Sequence, residues 1–209
     1  MATSGRVWGA GLFAGVLVGL LWLSGQPWAT RAPRRAMMVL LVGVTIAGFG
    51  YQLGLLDLEP GGALPTLLAR TVSRTDTSYY TAAVSDDARD PWLFLRRHAE
   101  LLPKLRRAAK HAATHPPGPV LYYRALVALC ARSPALTAAG LDLAGLAPED
   151  RRVQRPPHTP ASMAAAALGA LLLLLGAAAA CWPVAALARA AGAEELGAAR
   201  LGVLWTLLP

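Results

Sequence analysis

Charge is what this sequence has little of. Only 15% of its 209 residues are Asp, Glu, Lys or Arg, against about 25% in an ordinary soluble domain. Acids are the scarcer sign, 12 against 20 Lys and Arg, for a net charge of +8. Cysteine is nearly missing. Cys130 and Cys181 lie far apart in apolar segments, so neither a disulfide framework nor a zinc pattern can be built from them. They read as small buried apolar residues. No loop alternates apolar and polar residues as a half-buried strand does. No internal repeat with a period of about 20–50 residues is present. No nucleic-acid motif accompanies the basic residues, so nucleic acid is not an expected partner.

Apolar residues fill the gap, at 55% of the chain. Residues 7–23, 36–56 and 161–187 carry no charge. A spanning helix needs about 20 apolar residues, with a lower limit near 17. The first run could instead be a signal-peptide core. However, Arg6 is its only flanking basic residue and no clear cleavage site follows, so a retained span is expected. Arg31, Arg34 and Arg35 sit in the short acid-free segment 25–35, which the positive-inside rule places in the cytoplasm. Segment 57–160 then emerges on the far side of the membrane, and 161–187 crosses back toward Arg189 and Arg200. The apolar segment 201–209 stops early, so the chain reads as the front of a longer protein. Basic residues beside the spans are expected to meet anionic membrane lipid, at roughly 1 kcal/mol each.

The expected fold is all-α: a polytopic membrane protein with extracytoplasmic amphipathic helices between spans. Helices are predicted at 7–23, 36–57, 91–102, 104–113, 119–131 and 161–187. Residues 1–35 form an extra N-terminal helix and its loop, and 36–209 the main membrane domain. Asp90-Pro91 is a helix start, because Asp caps and Pro tolerates the first helical position. Trp92, Leu95, Ala99 and Leu102 then recur at threes and fours, predicting an apolar stripe on a membrane-surface helix that Pro103 interrupts. A small soluble domain is the rival reading. Residues 119–131 are too short for a full span and contain Arg124, predicting a re-entrant or interfacial helix, with a short span as the alternative.

Two motifs could carry chemistry. Asp76 opens an acidic and aromatic stretch with Tyr79 and Tyr80, followed by Asp86 and Asp87. Further on, His115-Pro116-Pro117 precedes an apolar helix. The prolines hold φ near −65° and drive the preceding residue out of the helical region, so His115 is expected to be extended. His111 and His115 are four apart, a spacing that can bind metal on one helix face. Pro116 argues against a continuous helix through both, and no third ligand is indicated. Arg124, inside an apolar helix, needs a cavity or partner. Arg96, Arg97, Lys104, Arg106, Arg107 and Lys110 could hold phosphate or simply lie over headgroups. His98 reads as a packing residue, and His158 as part of the Pro-rich lead-in to the next span.

The order Thr75-Asp76-Thr77-Ser78-Tyr79-Tyr80, then His115-Pro116-Pro117, then a long span, resembles the front of the GT-C membrane glycosyltransferases. These include protein O-mannosyltransferases and lipid A aminoarabinose transferases. The resemblance covers roughly 36–209. It departs at Thr77, where the family has Glu, at Gly118, where it has Leu, in a longer interval from Asp76 to His115, and in the extra helix 7–23. It implies transfer of a sugar from a polyprenyl-phosphate donor to an extracytoplasmic acceptor, at the bacterial inner membrane. On that reading Asp76 is the candidate base, with Asp86 and Asp87 as alternatives. His115, Arg124, Tyr79, Tyr80 and Arg107 are candidates for substrate or phosphate contact. A divalent metal is an open cofactor possibility. The rival readings are a non-catalytic multi-span protein that binds a partner and a transporter fragment.

Overall fold

The computed structural model describes residues 3–148 and 158–207, with side-chain surroundings described from residue 11 to residue 206. The chain is all-helical, with 81% helix and no strand among the described residues. Twelve α-helices follow one another among these residues. They are α1 (Thr3–Leu23), α2 (Pro27–Arg31), α3 (Pro33–Asp57), α4 (Ala63–Val72), α5 (Tyr79–Ala83), α6 (Pro91–Ala108), α7 (Lys110–Thr114), α8 (Gly118–Arg132), α9 (Pro134–Leu143), α10 (Pro160–Ala179), α11 (Cys181–Ala190) and α12 (Glu195–Leu207). A 3-10 turn at Asp86–Ala88 lies between α5 and α6.

Among the described residues, two stretches are long and apolar enough to cross a membrane: Pro33–Asp57, and Pro160–Ala190, which joins α10 and α11. The pair α8 and α9, bent by 116°, makes a third if counted as one broken span, or forms a re-entrant loop. Both outcomes lie within the reading of 119–131, but α9 itself was not foreseen. Its start signal was present: Ser133 caps it, accepting from the Leu136 N–H at 3.3 Å, with Pro134 at the first position. The apolar part of α1 described with its side chains, Gly11–Leu23, is shorter than a full span.

The chain divides into two compact units. The first comprises residues 1–63 and 172–209. Its core joins Leu17, Leu41, Val44, Cys181, Ala198 and Val203. A Cβ on Gly202 would lie 2.9 Å from the Cys181 carbonyl oxygen, so α12 and α11 cross at backbone contact. Small residues permit such approach between membrane helices. Within this apolar packing Trp182 Nε1 donates to Thr45 Oγ1 at 3.0 Å, and Thr45 returns its proton to the Leu41 carbonyl at 2.8 Å. The outer face of α3 stays apolar, with Ile46 65% exposed. That is the expected state of a surface whose solvent is lipid. Arg34 pairs with Glu195 at 3.3 Å, and Arg200 reaches Ser24 Oγ at 2.9 Å. The two loops expected on one side of the membrane are thus tied to each other.

The second unit, residues 64–171, packs Tyr80, Phe94, Leu105, Val120, Tyr123 and Met163 into one core. Gly140 brings α9 onto α10, where a Cβ would meet the Ala164 backbone oxygen at 2.9 Å. Tyr122 Oη donates to the Gly169 carbonyl at 2.8 Å. Two expectations fail within α6. The helix continues through Pro103 to Ala108 and breaks at Ala109, which has φ −153°. Pro103 and Ala99 are both exposed, so the carbonyl that loses its N–H partner can turn to water, which tolerates proline inside a surface helix. The buried stripe is also not the expected one. Phe94 and Leu105 are buried, with His98 and Leu101 half-buried between them. Trp92, by contrast, is 71% exposed, and Leu95 and Ala99 are exposed beside it. The helix has two apolar faces, and the sequence pattern showed the outer one.

Candidate functional site

The segment after α4 is bound back by its own hydroxyls. Ser73 Oγ accepts the backbone N–H groups of Thr75 and Asp76, each at 3.2 Å. Thr77 Oγ1 donates to the carbonyls of Arg70 or Thr71 in the last turn of α4, at 3.3 and 3.2 Å. Helix ends leave such carbonyls without intrahelical partners. Ser78 follows with φ +56° and is fully buried. A non-glycine residue in the left-handed region costs of order 1–3 kcal/mol and persists only where its surroundings demand it.

The surroundings here are α7. Ser78 Oγ accepts the N–H groups of His111 and Ala112 at 3.1 and 3.2 Å. The preceding residue of α7, Ala109, has no side chain able to cap. A serine more than thirty positions upstream supplies the cap instead. This contact ties the Asp76–Tyr80 stretch to the start of α7, the short helix that leads into the His-Pro-Pro corner. Removing it should be visible as instability. Ser78→Ala is expected to lower the thermal unfolding midpoint in detergent, at about 1–3 kcal/mol for two buried N–H groups left unpaired. Ser78→Gly, which relieves the positive φ but also loses the hydroxyl, should fall between wild type and alanine. If alanine melts with wild type, the cap is not what joins the motifs.

His115 is extended, φ −121° and ψ 160°, as the following proline requires. Its ring meets Tyr79 edge to face, with centroids 5.7 Å apart. Nδ1–H donates to the His111 carbonyl at 3.0 Å, which leaves Nε2 as the acceptor of the neutral ring. His115 is exposed, as is Asp76. The Asp76 carboxylate makes no hydrogen bond or ion pair with any described residue.

The other acids are engaged. Asp86 faces Arg89 at 3.8 Å, and Asp87 pairs with Lys104 at 2.6 Å. Asp90 caps α6, accepting from Trp92 and Leu93 at 2.9 and 3.0 Å. Arg124 Nη2 donates to the Arg89 carbonyl at 3.2 Å, so it ties α8 to the segment after the 3-10 turn. Arg107 is exposed and reaches the Pro103 carbonyl of its own helix at 3.4 Å. Arg96, Arg97, Lys104, Arg106 and Lys110 are also exposed. His98 stacks edge to face on Phe94, and its buried Nε2 has no partner among the described residues. No group of three or more His, Cys, Asp or Glu side chains that could hold a metal occurs among the described residues.

Tyr80 is placed differently from Tyr79. It is fully buried, donates to Ser162 Oγ at 3.0 Å, lies 3.2 Å from His158 Nδ1 and stacks on that ring. Burial pushes its phenol up to about 12, with the Ser162 bond pulling the other way, so it stays a neutral donor. Thr159 and Ser162 cap the start of α10 reciprocally: the Thr159 N–H donates to Ser162 Oγ at 2.9 Å, and the Ser162 N–H to Thr159 Oγ1 at 3.2 Å. The sequence reading missed Ser78, Ser162 and the Tyr80–His158 contact. The Thr159-Pro160-Ala161-Ser162 spacing was the available signal for the second, since a hydroxyl at each end of such a turn can cap the other. Nothing local in sequence announces Ser78.

Among the described residues the architecture is all-helical, with two helices, or three if the bent pair is one span, long and apolar enough to cross a membrane. No protein-family model, no curated protein and no solved structure matches the chain.

Proposed function

We propose that this chain carries the site of a membrane glycosyltransferase that moves a sugar from a polyprenyl-phosphate donor to an acceptor outside the cytoplasm. The observation that supports this reading is the Ser78 cap on α7, which, with the Tyr79–His115 ring contact, places the Asp76–Tyr80 stretch beside the helix that ends at the His-Pro-Pro corner. The short-motif resemblance to GT-C enzymes supplies the reaction class. In that reaction the acceptor oxygen bonds to the anomeric carbon. The bond from that carbon to the phosphate oxygen breaks, and polyprenyl phosphate leaves with the electron pair. The acceptor proton goes to a carboxylate within reach. Asp76 is the base in this proposal, because its carboxylate bonds to no described residue while Asp86, Asp87 and Asp90 each have a partner. His115 positions the phosphate or the acceptor, steadied by Tyr79 and the His111 carbonyl. Exposed Trp92 and Leu95, with the basic residues of α6, lie in the membrane interface near anionic lipid.

Membranes from cells expressing the protein should transfer radiolabelled sugar from a polyprenyl-phosphate donor, and membranes lacking it should not. Equal transfer by both would remove the proposal. Orientation has its own test. With Cys130 and Cys181 replaced by alanine, an impermeant thiol reagent on intact cells should label Thr75→Cys and spare Thr30→Cys. The reverse pattern would put the site on the cytoplasmic face.

A further inference from the structure

Helix α6 carries three sectors, and the core of the second unit takes up only one of them. At about 3.6 residues per turn, successive side chains turn by about 100°. Phe94 and Leu105 form the sector packed in the core. Roughly 120° round the helix, Trp92, Leu95 and Ala99 fall within about 60° of one another, and all three are exposed. The third sector holds Arg96, Arg97, Glu100, Lys104 and Arg107, also exposed. Arg97 pairs with Glu100 at 3.0 Å and Lys104 with Asp87 at 2.6 Å. Arg96 and Arg107 meet no acid among the described residues. Neither does exposed Arg106, which lies in the apolar sector itself, about 20 Å along the axis from Trp92.

We infer that α6 is a docking face for anionic phospholipid, with Trp92, Leu95 and Ala99 at the level of the acyl chains and Arg96, Arg106 and Arg107 on the lipid phosphates. Three arginines without an acid call for an anion, and a guanidinium meets a phosphate through two parallel bonds. Arg106 can run its stem along the apolar boundary and keep its head among the phosphates. An apolar row beside a basic one, with Trp in the row, is the pattern of a helix lying in the headgroup boundary. A second copy of the chain would set the same arginines against themselves, and like charges oppose that pairing. The chain reaches α6 between Pro33–Asp57 and Pro160–Ala190, the stretches long and apolar enough to cross a membrane, so a bilayer that holds them is the surface to which this unit is tethered. This extends the interfacial placement of α6 by a lipid class and an order of depths, and it does not depend on sugar transfer.

The test uses the full chain with Cys130 and Cys181 replaced by alanine, reconstituted into lipid nanodiscs and labelled with one fluorophore at Ala99→Cys or at Glu100→Cys. Bromine on the lipid acyl chains should quench the label at 99, and iodide in the water should quench the label at 100. Half-maximal quenching at 99 should need about fivefold less brominated phosphatidylglycerol than brominated phosphatidylcholine, the preference set by one arginine at an anionic surface. Added salt should erase that difference. Arg96→Gln/Arg106→Gln/Arg107→Gln should erase it at low salt, with helicity unchanged. Should that variant fail to fold, the lipid and salt dependence of the chain that keeps its arginines still decides. Equal quenching at 99 by the two lipids at low salt would overturn the inference, as would a label at 99 that only iodide reaches. Protection of 99 from both quenchers would mean that protein covers this face, and would overturn it as well.

Discussion

Under the proposed function, Asp76→Asn is expected to lower sugar transfer by about 10²-fold or more, the usual contribution of a positioned general base, while protein yield and melting temperature stay at wild type. The substitution keeps the shape of the side chain and removes the proton acceptor. Stability is spared because the carboxylate is exposed and bonded to no described residue, and such surface changes usually stay within about 0.5 kcal/mol. Asp86→Asn and Asp87→Asn are expected to do much less to transfer. Asp87 pairs with a Lys104 that is itself 65% exposed, so losing it costs at most about 1 kcal/mol and leaves transfer nearly intact. Steady-state transfer measured beside thermal unfolding separates the two classes. A dead Asp87→Asn with a fully active Asp76→Asn would move the base to the later pair.

Under the same proposal, His115→Ala is expected to reduce transfer by about 10²-fold, the scale on which one positioned polar group at a reacting centre acts. The structural cost is smaller. The variant gives up an edge-to-face contact with Tyr79, worth about 0.5–1.5 kcal/mol, and an exposed hydrogen bond to the His111 carbonyl. His115→Gln keeps a hydrogen-bonding side chain and should recover part of the rate. Pro116→Ala weakens transfer less, because it loosens the backbone that holds His115 extended without removing the ring. Tyr80→Phe provides the contrast: it strips the buried bond to Ser162, destabilises the second unit and leaves the transfer rate per folded molecule alone. If His115→Ala loses activity only in proportion to lost fold, the corner is structural.

Local chemistry was the legible part of this fold. Asp90-Pro91 starts α6 and His115 is extended, because capping and pre-proline sterics act within two or three residues. Two of the three charge-free runs, 36–56 and 161–187, fall within stretches long and apolar enough to cross a membrane, since membrane solvation reads composition directly; the described apolar part of the first, Gly11–Leu23, is shorter than a span. Helix α4 was missed because Pro65 and paired glycines surround a pattern too short to show a period. The turn before it works through distant geometry: Gly61 and Gly62 both adopt positive φ, and the Ala63 N–H reaches Asp57 Oδ1 at 3.2 Å. The stripe on α6 was misassigned because two apolar faces share one helix, and spacing alone cannot say which faces protein. The site was half legible. Asp76, Tyr79 and His115 stood out as residue types, but the contact that joins their segments depends on Ser78, an ordinary serine whose role exists only once α7 is placed beside it.

The most direct measurement is release of polyprenyl phosphate together with sugar transfer, in membranes carrying either the wild-type protein or the Asp76→Asn/His115→Ala double variant at equal abundance. Wild-type membranes should release one polyprenyl phosphate per sugar transferred, and the double variant should fall to the level of membranes without the protein. Coupled release at the wild-type rate by the double variant would contradict the assignment of this site.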